Sequence, residues 1–255
     1  YDRLCENIGQ ETDAYENNRY IYDHLLLGSR QKVGCNIGGV FANVFAYADD
    51  IVLLAPSWQA LQALLRVLEN GILAIDMSCN TRKTVCMVFS PRQKRKVVSP
   101  HFPPLRLFGT DLLYVDNFKY LGHIIDNKLN DDADIQREIR NLFTRANILT
   151  RRFSLCSQSV KVALFKSYCI SLYGCALWRN HTVSSLSKLR SCYHRCVKTF
   201  FGYKRHDSMT AVLFKLSIPS FNTLLHNSRC ILRSQTVNCI NSLLQACCNR
   251  VAVII

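Results

Sequence analysis

The chain has 255 residues, 49% of them hydrophobic and 20% charged, which is ample material for the core of one large domain or a domain and a half. No apolar run approaches the roughly 18 residues of a membrane span, and the opening Tyr1-Asp2-Arg3-Leu4-Cys5-Glu6 is not an apolar signal segment. Lacking an initial Met, the sequence reads as a piece of a longer reading frame, or a remnant of one.

Residues 1–20 are polar and without period, a loose lead-in. Regular structure is expected from Ile21, with a short helix over 22–27 ending at Gly28. Cys35-Asn36-Ile37-Gly38-Gly39 is a turn that delivers the chain to the stretch of greatest interest. There Tyr47-Ala48-Asp49-Asp50 separates two apolar runs, Asn43-Val44-Phe45-Ala46 and Ile51-Val52-Leu53-Leu54-Ala55. Ionised carboxylates rarely interrupt buried strands, because their desolvation costs more than one side chain's packing gains. Two strands joined by a tight turn instead lift both acids out of the sheet, where they can face a divalent cation.

An amphipathic helix follows over 58–76, with Leu61, Leu64, Leu65, Leu68, Ile72 and Ile75 at helical spacing and Ser57 as N-cap. Asn80-Thr81-Arg82-Lys83-Thr84 then leads into an alternating strand, Val85 to Phe89, with Asn80 fixing the turn before it. Residues 92–104, rich in Lys, Arg and Pro, form an exposed connection. A hairpin over 105–115, turning at Gly109-Thr110, precedes Phe118-Lys119-Tyr120-Leu121-Gly122.

From about Asp131 the pattern is helical throughout. Ile135, Ile139, Leu142, Phe143, Ala146 and Leu149 make one apolar stripe, with Arg137, Arg140, Arg145, Arg151 and Arg152 largely off it. Further helices are expected over 160–177, 186–201 (ending at Gly202), 208–216 and 220–246, with Asp207 and Ser220 as caps. Charge divides sharply along the chain. Residues 1–138 hold 15 Lys/Arg against 17 Asp/Glu, whereas residues 139–255 hold 17 Lys/Arg against one acid, Asp207. So one-sided a surface points to a polyanion, with nucleic acid the leading candidate; the plainer alternative is a basic solubilising surface.

Thirteen cysteines raise the question of disulfides or metal. Cys79, Cys86, Cys169, Cys192 and Cys196 fall at apolar positions, where a free thiol behaves as a small hydrophobe. The odd count and the absent signal segment fit a reducing, intracellular compartment, nucleus or cytoplasm left open. Cys192-x-His194-x-Cys196 has zinc-binding atoms but lies in a helical pattern, where residues two apart face different ways and cannot share one ion.

The order acidic hairpin, helix, Asn80-x-x-Lys83-Thr84, then Tyr120-Leu121-Gly122 resembles the palm of a non-LTR (LINE-type) retrotransposon reverse transcriptase. The helical half is similar too, through Tyr168-Cys169, Leu172-Tyr173-Gly174, Leu177-Trp178, Leu189-Arg190 and Phe201-Gly202-Tyr203-Lys204-Arg205-His206, so the likeness runs from about residue 21 to beyond 225. The resemblance implies an α+β fold: a partial polymerase palm over 21–130, an antiparallel sheet with a packing helix, then an all-helical thumb and basic region over 131–255. Nucleotidyl transfer uses two divalent cations about 4 Å apart, and hard cations take oxygen ligands. The resemblance therefore makes Asp49 a Mg²⁺ ligand with Asp50 supporting the site, and Lys83 the cation near the leaving pyrophosphate. It makes Tyr120, Leu121 and Gly122 the grip on the primer end, although Gly122 equally suits a simple strand bend. Arg140, Arg145 and Arg152 are the expected phosphate contacts, and the implied partners are an RNA template, a DNA primer and, in the intact enzyme, a dNTP.

Two family features do not appear in these residues: the upstream strand carrying the partner aspartate, and the Gln-Gly loop that holds the incoming nucleotide. The reading is thus a fragment of an RNA-directed DNA polymerase, inactive alone because its cation site is incomplete. Its rivals are a non-catalytic nucleic-acid-binding module and a non-functional retroelement relic.

Overall fold

A computed structural model of the chain describes residues 34–90 and 102–251. The expected lead-in, the 22–27 helix and nearly all of the basic connection lie outside those residues. The fold is mixed α and β, with small strand pairs in the first half and helices in the second. It divides into two compact units, the first drawn from 34–88, 102–115 and 236–251, the second from 89–90 and 116–235.

In the first unit, β1 (Cys35–Ile37) and β2 (Val40–Ala42) form a hairpin around Gly38-Gly39, so the expected turn is flanked by strands. Next, β3 (Val44–Tyr47) pairs antiparallel with β4 (Asp50–Leu53). Helix α1 (Trp58–Ala74) is the amphipathic helix expected, and the Ser57 hydroxyl accepts from the Ala60 N–H at 3.2 Å as its cap. Its buried Leu65, Leu68 and Ile72 pack into the unit's core, which Val44, Cys86, Leu105, Leu107 and Leu112 complete, and Leu64 is buried as well.

Strand β5 is only Val85–Cys86, shorter than the alternation suggested, and it pairs parallel with β8 (Leu113–Tyr114). Between them lies the hairpin of β6 (Arg106–Leu107) and β7 (Thr110–Asp111). It turns at Phe108-Gly109, one residue earlier than expected, with φ +49 and +72 as a type I′ turn demands. Gln62 on α1 grips β6 by its backbone, accepting from Arg106 N–H and donating to Arg106 C=O at 2.9 Å each. The hairpins form separate two-stranded pairs among the described residues rather than one broad sheet.

In the second unit, β9 (Asn117–Tyr120) and β10 (His123–Asp126) form a hairpin ahead of helix α2 (Asp132–Arg152). Helix α3 spans Gln158–Cys169 and does not continue to 177 as the periodicity suggests. The chain instead turns at Gly174, at φ +76, because Tyr173 is drawn toward the β9–β10 turn. Helices α4 (Val183–Phe201) and α5 (Met209–Leu216) follow, α4 stopping at left-handed Gly202 as expected. Asp207 is not the cap of α5; its carboxylate accepts the Lys204 N–H at 2.7 Å, and Ser208 takes the cap position.

The expected 220–246 helix is two helices, α6 (Phe221–Val237) and, in the first unit, α7 (Ser242–Val251). Ser220 caps α6 through the Thr223 N–H at 3.1 Å, and Asn241 restarts the chain by accepting from Leu243 and Leu244 N–H. Aromatic packing organises the core of the second unit around Phe165, Tyr193, Phe200 and Phe221, with Ile135, Leu142 and Leu189 fully buried. No helix among the described residues is long and apolar enough to cross a membrane.

Candidate functional site

The register Tyr47↔Asp50 leaves Ala48 and Asp49 as a two-residue hairpin turn. Ala48 sits at φ +46, the positive value that such a turn needs at its first central position. A non-glycine residue there stores about 1–2 kcal/mol of backbone strain, held in place by the strands on either side. Asp49 and Asp50 are both exposed, as the desolvation argument requires, and Tyr47 beside them is exposed as well. At the base of the hairpin Val44 is buried while Phe45 stays partly open.

Neither aspartate forms an ion pair among the described residues, and no group of three His, Cys, Asp or Glu there is placed to hold a metal ion. Lys83 is exposed at the end of a tight turn. That turn is fixed by Asn80, whose side chain and carbonyl both accept the Lys83 N–H at 3.1 Å, as expected for the turn that leads into β5.

Tyr120, Leu121 and Gly122 belong to the second unit. Leu121 and Gly122 are the turn residues of the β9–β10 hairpin, at φ +45 and +83. The Tyr173 hydroxyl donates to Leu121 C=O at 2.9 Å, and a Cβ on Gly122 would lie 3.2 Å from the Tyr173 ring. A turn under an aromatic ring is thus reason enough for glycine at 122.

The helix carrying the expected phosphate contacts is less uniform than its sequence suggests. Arg140 and Arg152 are exposed; Arg152 and Arg151 also stand in the last turn of α2, where cations offset the helix dipole. Arg137 is buried and Arg145 half-buried, and both pair with carboxylates. Arg137 donates through Nε to Asp134 at 2.6 Å and through Nη1 to Glu138 at 3.2 Å, while Arg145 Nη2 donates to the other oxygen of the fully buried Glu138. Arg145 Nε is buried with no hydrogen-bond partner.

Asp134 collects more still: the Ile124 N–H at 2.9 Å, the Trp178 indole at 2.8 Å and His123 Nδ1 at 3.1 Å. Burial pushes this carboxyl up, but the hydrogen bonds from Arg137, Ile124, Trp178 and His123 outweigh it and hold Asp134 well below the usual carboxylate range. This polar knot escapes the stripe as read above. Its signal is in the spacing: positions 135, 138, 142, 145 and 149 repeat in steps of three and four, so Glu138 and Arg145 stand on the apolar face itself.

The cysteines from Cys35 to Cys247 are free of disulfides. Burial pushes the Cys86 and Cys169 thiols up to about 11, which leaves them inert hydrophobes. Cys192 and Cys196 are buried one turn apart on α4, with His194 on another side of the helix, only half-buried.

Comparison with protein-family models finds no match. Comparison with known proteins indicates a retrotransposon-related origin for the chain. The relative is the Retrovirus-related Pol polyprotein from type-1 retrotransposable element R2 of Nasonia vitripennis, 30% identical over 128 residues, or 46% of this chain. The match covers 12% of the relative's length, so the two are alike over a small part of a much longer protein.

Proposed function

We propose that the chain is the palm and thumb portion of a non-LTR retrotransposon reverse transcriptase. The observation that carries this reading is the Tyr47-Ala48-Asp49-Asp50 hairpin, a strained two-residue turn that holds two adjacent carboxylates in solvent. Similarity to a Pol polyprotein of a retrotransposable element supports it, as does the order of Asn80, Lys83 and Tyr120-Leu121-Gly122 behind the hairpin. Asp49 is then a cation ligand, Asp50 its support, Lys83 the cation near the departing pyrophosphate, and the 120–122 turn the grip on a primer end. RNA template, DNA primer and dNTP are the partners of the intact polymerase, and Mg²⁺ its cation.

Two carboxylates on one turn do not make a two-cation centre, which draws ligands from more than one segment. These residues by themselves therefore do not polymerise. The test is primer extension on an RNA template with Mg²⁺ or Mn²⁺. Extension at background is expected; extension abolished by Asp49→Ala would show that another acid completes the site.

A second reading, nucleic-acid binding without catalysis, is favoured by the charge of residues 139–255, 17 Lys/Arg against Asp207 alone. A duplex bound with a steep salt dependence but never extended is its signature.

A further inference from the structure

Helix α6 sets two metal-ligating side chains together on its solvent face. His226 and Cys230 are four residues apart and both exposed, and Cys230 Sγ lies 3.4 Å from His226 Nε2. Side chains at this spacing share one face of a helix, and here their tips also meet.

The separation matches the bite of one tetrahedral zinc ion. Bonds of about 2.0–2.1 Å to imidazole nitrogen and about 2.3 Å to thiolate sulfur, at a tetrahedral angle, place the two ligand atoms about 3.5 Å apart. Zinc takes the place of the proton now shared between sulfur and nitrogen: the thiol gives its proton to solvent, and the neutral ring offers Nε2. Cys192 and Cys196, the other cysteines one helical turn apart, are buried in the core and have no such access.

Two ligands fill half of a shell. Zinc held by side chains alone takes four, and among the described residues no group of three His, Cys, Asp or Glu is placed to hold an ion. A second copy of the chain, related by a two-fold axis, brings an identical pair. The shell is then two sulfurs and two nitrogens, and two thiolates cancel the charge of the divalent ion. The site needs no carboxylate, and α6 has none.

The rest of the face suits a helix crossing its own copy. Thr223, Asn227 and Ser234 are exposed and neutral, and Ile231, 57% exposed, offers apolar surface beside Cys230. Arg229 donates back to Trp178 C=O of its own chain at 3.4 Å. Arg233 stands a turn further along, so like charge favours helices that cross at the 226–230 turn over helices that run side by side.

We propose that His226 and Cys230 are half of a zinc site that two copies of this chain complete across a two-fold axis. Neither residue enters the polymerase reading, so the proposal stands apart from it.

The experiment uses the untagged full chain, kept reduced with a phosphine, and adds Zn²⁺ or Co²⁺ alone. Molar mass is followed by light scattering, and the cobalt form by its absorption spectrum. Zinc is expected to double the mass at one ion per two chains, and a chelator to reverse it. Cobalt is expected to give visible bands of a tetrahedral ion with sulfur-to-cobalt charge transfer. Dimer and bands should both be lost in Cys230→Ser and in His226→Gln, exposed substitutions that leave folding intact. A mass that zinc leaves unchanged overturns the proposal. So does a zinc dimer that both variants retain, which assigns the ion to other cysteines. A dimer that forms without metal and falls apart on reduction would make Cys230 a disulfide partner instead.

Discussion

The indole N–H of Trp178 donates to the Asp134 carboxylate at 2.8 Å, and both residues are almost wholly buried. Forty-four positions separate them in sequence, so this bond closes the loop between α2 and α4 on a fixed point. Removing one member of a buried, charged cluster strands the others without partners and costs about 3–5 kcal/mol. Asp134→Ala should lower the stability of the chain by that amount in urea denaturation.

The same carboxylate sets a pH dependence. Its folded pKa lies below the unfolded value of about 3.9, since the hydrogen bonds from Arg137, Ile124, Trp178 and His123 outweigh its burial. A depressed carboxyl contributes stability that is fully present above the unfolded pKa and lost as pH falls below it toward the folded one. Wild type should therefore lose stability below about pH 4, and Asp134→Asn should lose less over the same interval. Parallel pH profiles of the two urea midpoints would remove Asp134 from the account.

Gly174 and Gly202 share a φ of +76, yet substitution should separate them. A Cβ at 174 would fall 1.6 Å from Cε1 of His123, whereas at 202 nothing lies within 4 Å. Gly202→Ala carries only the backbone cost of a left-handed residue, about 1–2 kcal/mol. Gly174→Ala adds a collision with a ring held by Tyr173 and Asp134, and should cost about 3 kcal/mol or more. Thermal unfolding of both variants gives the order; equal losses would mean that His123 yields freely.

Local chemistry was the legible part of this chain. Ser57, Gly202, the α1 stripe and the exposed Asp49-Asp50 turn each announce themselves within a few residues, and each stands where the sequence put it. What long-range contact decides was not legible. Helix α3 stops at Cys169 because Tyr173 bonds Leu121, fifty-two residues away in sequence. Arg145 looked like a solvent-facing cation because charge suggests surface, but Glu138 buries with it on the same face of α2. An acid and a base at apolar-stripe spacing, seven residues apart, were the available sign of that pair.

The hairpin and its following helix divide stability from function. Ser57→Ala removes the α1 cap and should cost about 1 kcal/mol. Asp49→Asn alters an exposed residue in no ion pair and should change stability by no more than about 0.5 kcal/mol. Chemical denaturation decides both. A large loss in Asp49→Asn would give that carboxylate a structural role and weaken its assignment as a cation ligand.

The arginines of α2 should fall into two groups when replaced by glutamine, a substitution that keeps helix propensity. Arg140 and Arg152 are exposed and free to meet phosphates. Each phosphate contact releases condensed counterions and contributes about 0.9 to the slope of log affinity against log salt. The double variant should therefore flatten that slope by close to two for an RNA–DNA duplex, with stability within about 0.5 kcal/mol of wild type. Arg145→Gln should behave differently. It leaves the fully buried Glu138 with Arg137 alone, and should cost about 2 kcal/mol or more in stability before any effect on binding is read. Duplex titrations at several salt concentrations, beside urea unfolding of the same variants, separate the two. A wild-type slope near zero would show that the basic face of α2 meets solvent and no polyanion.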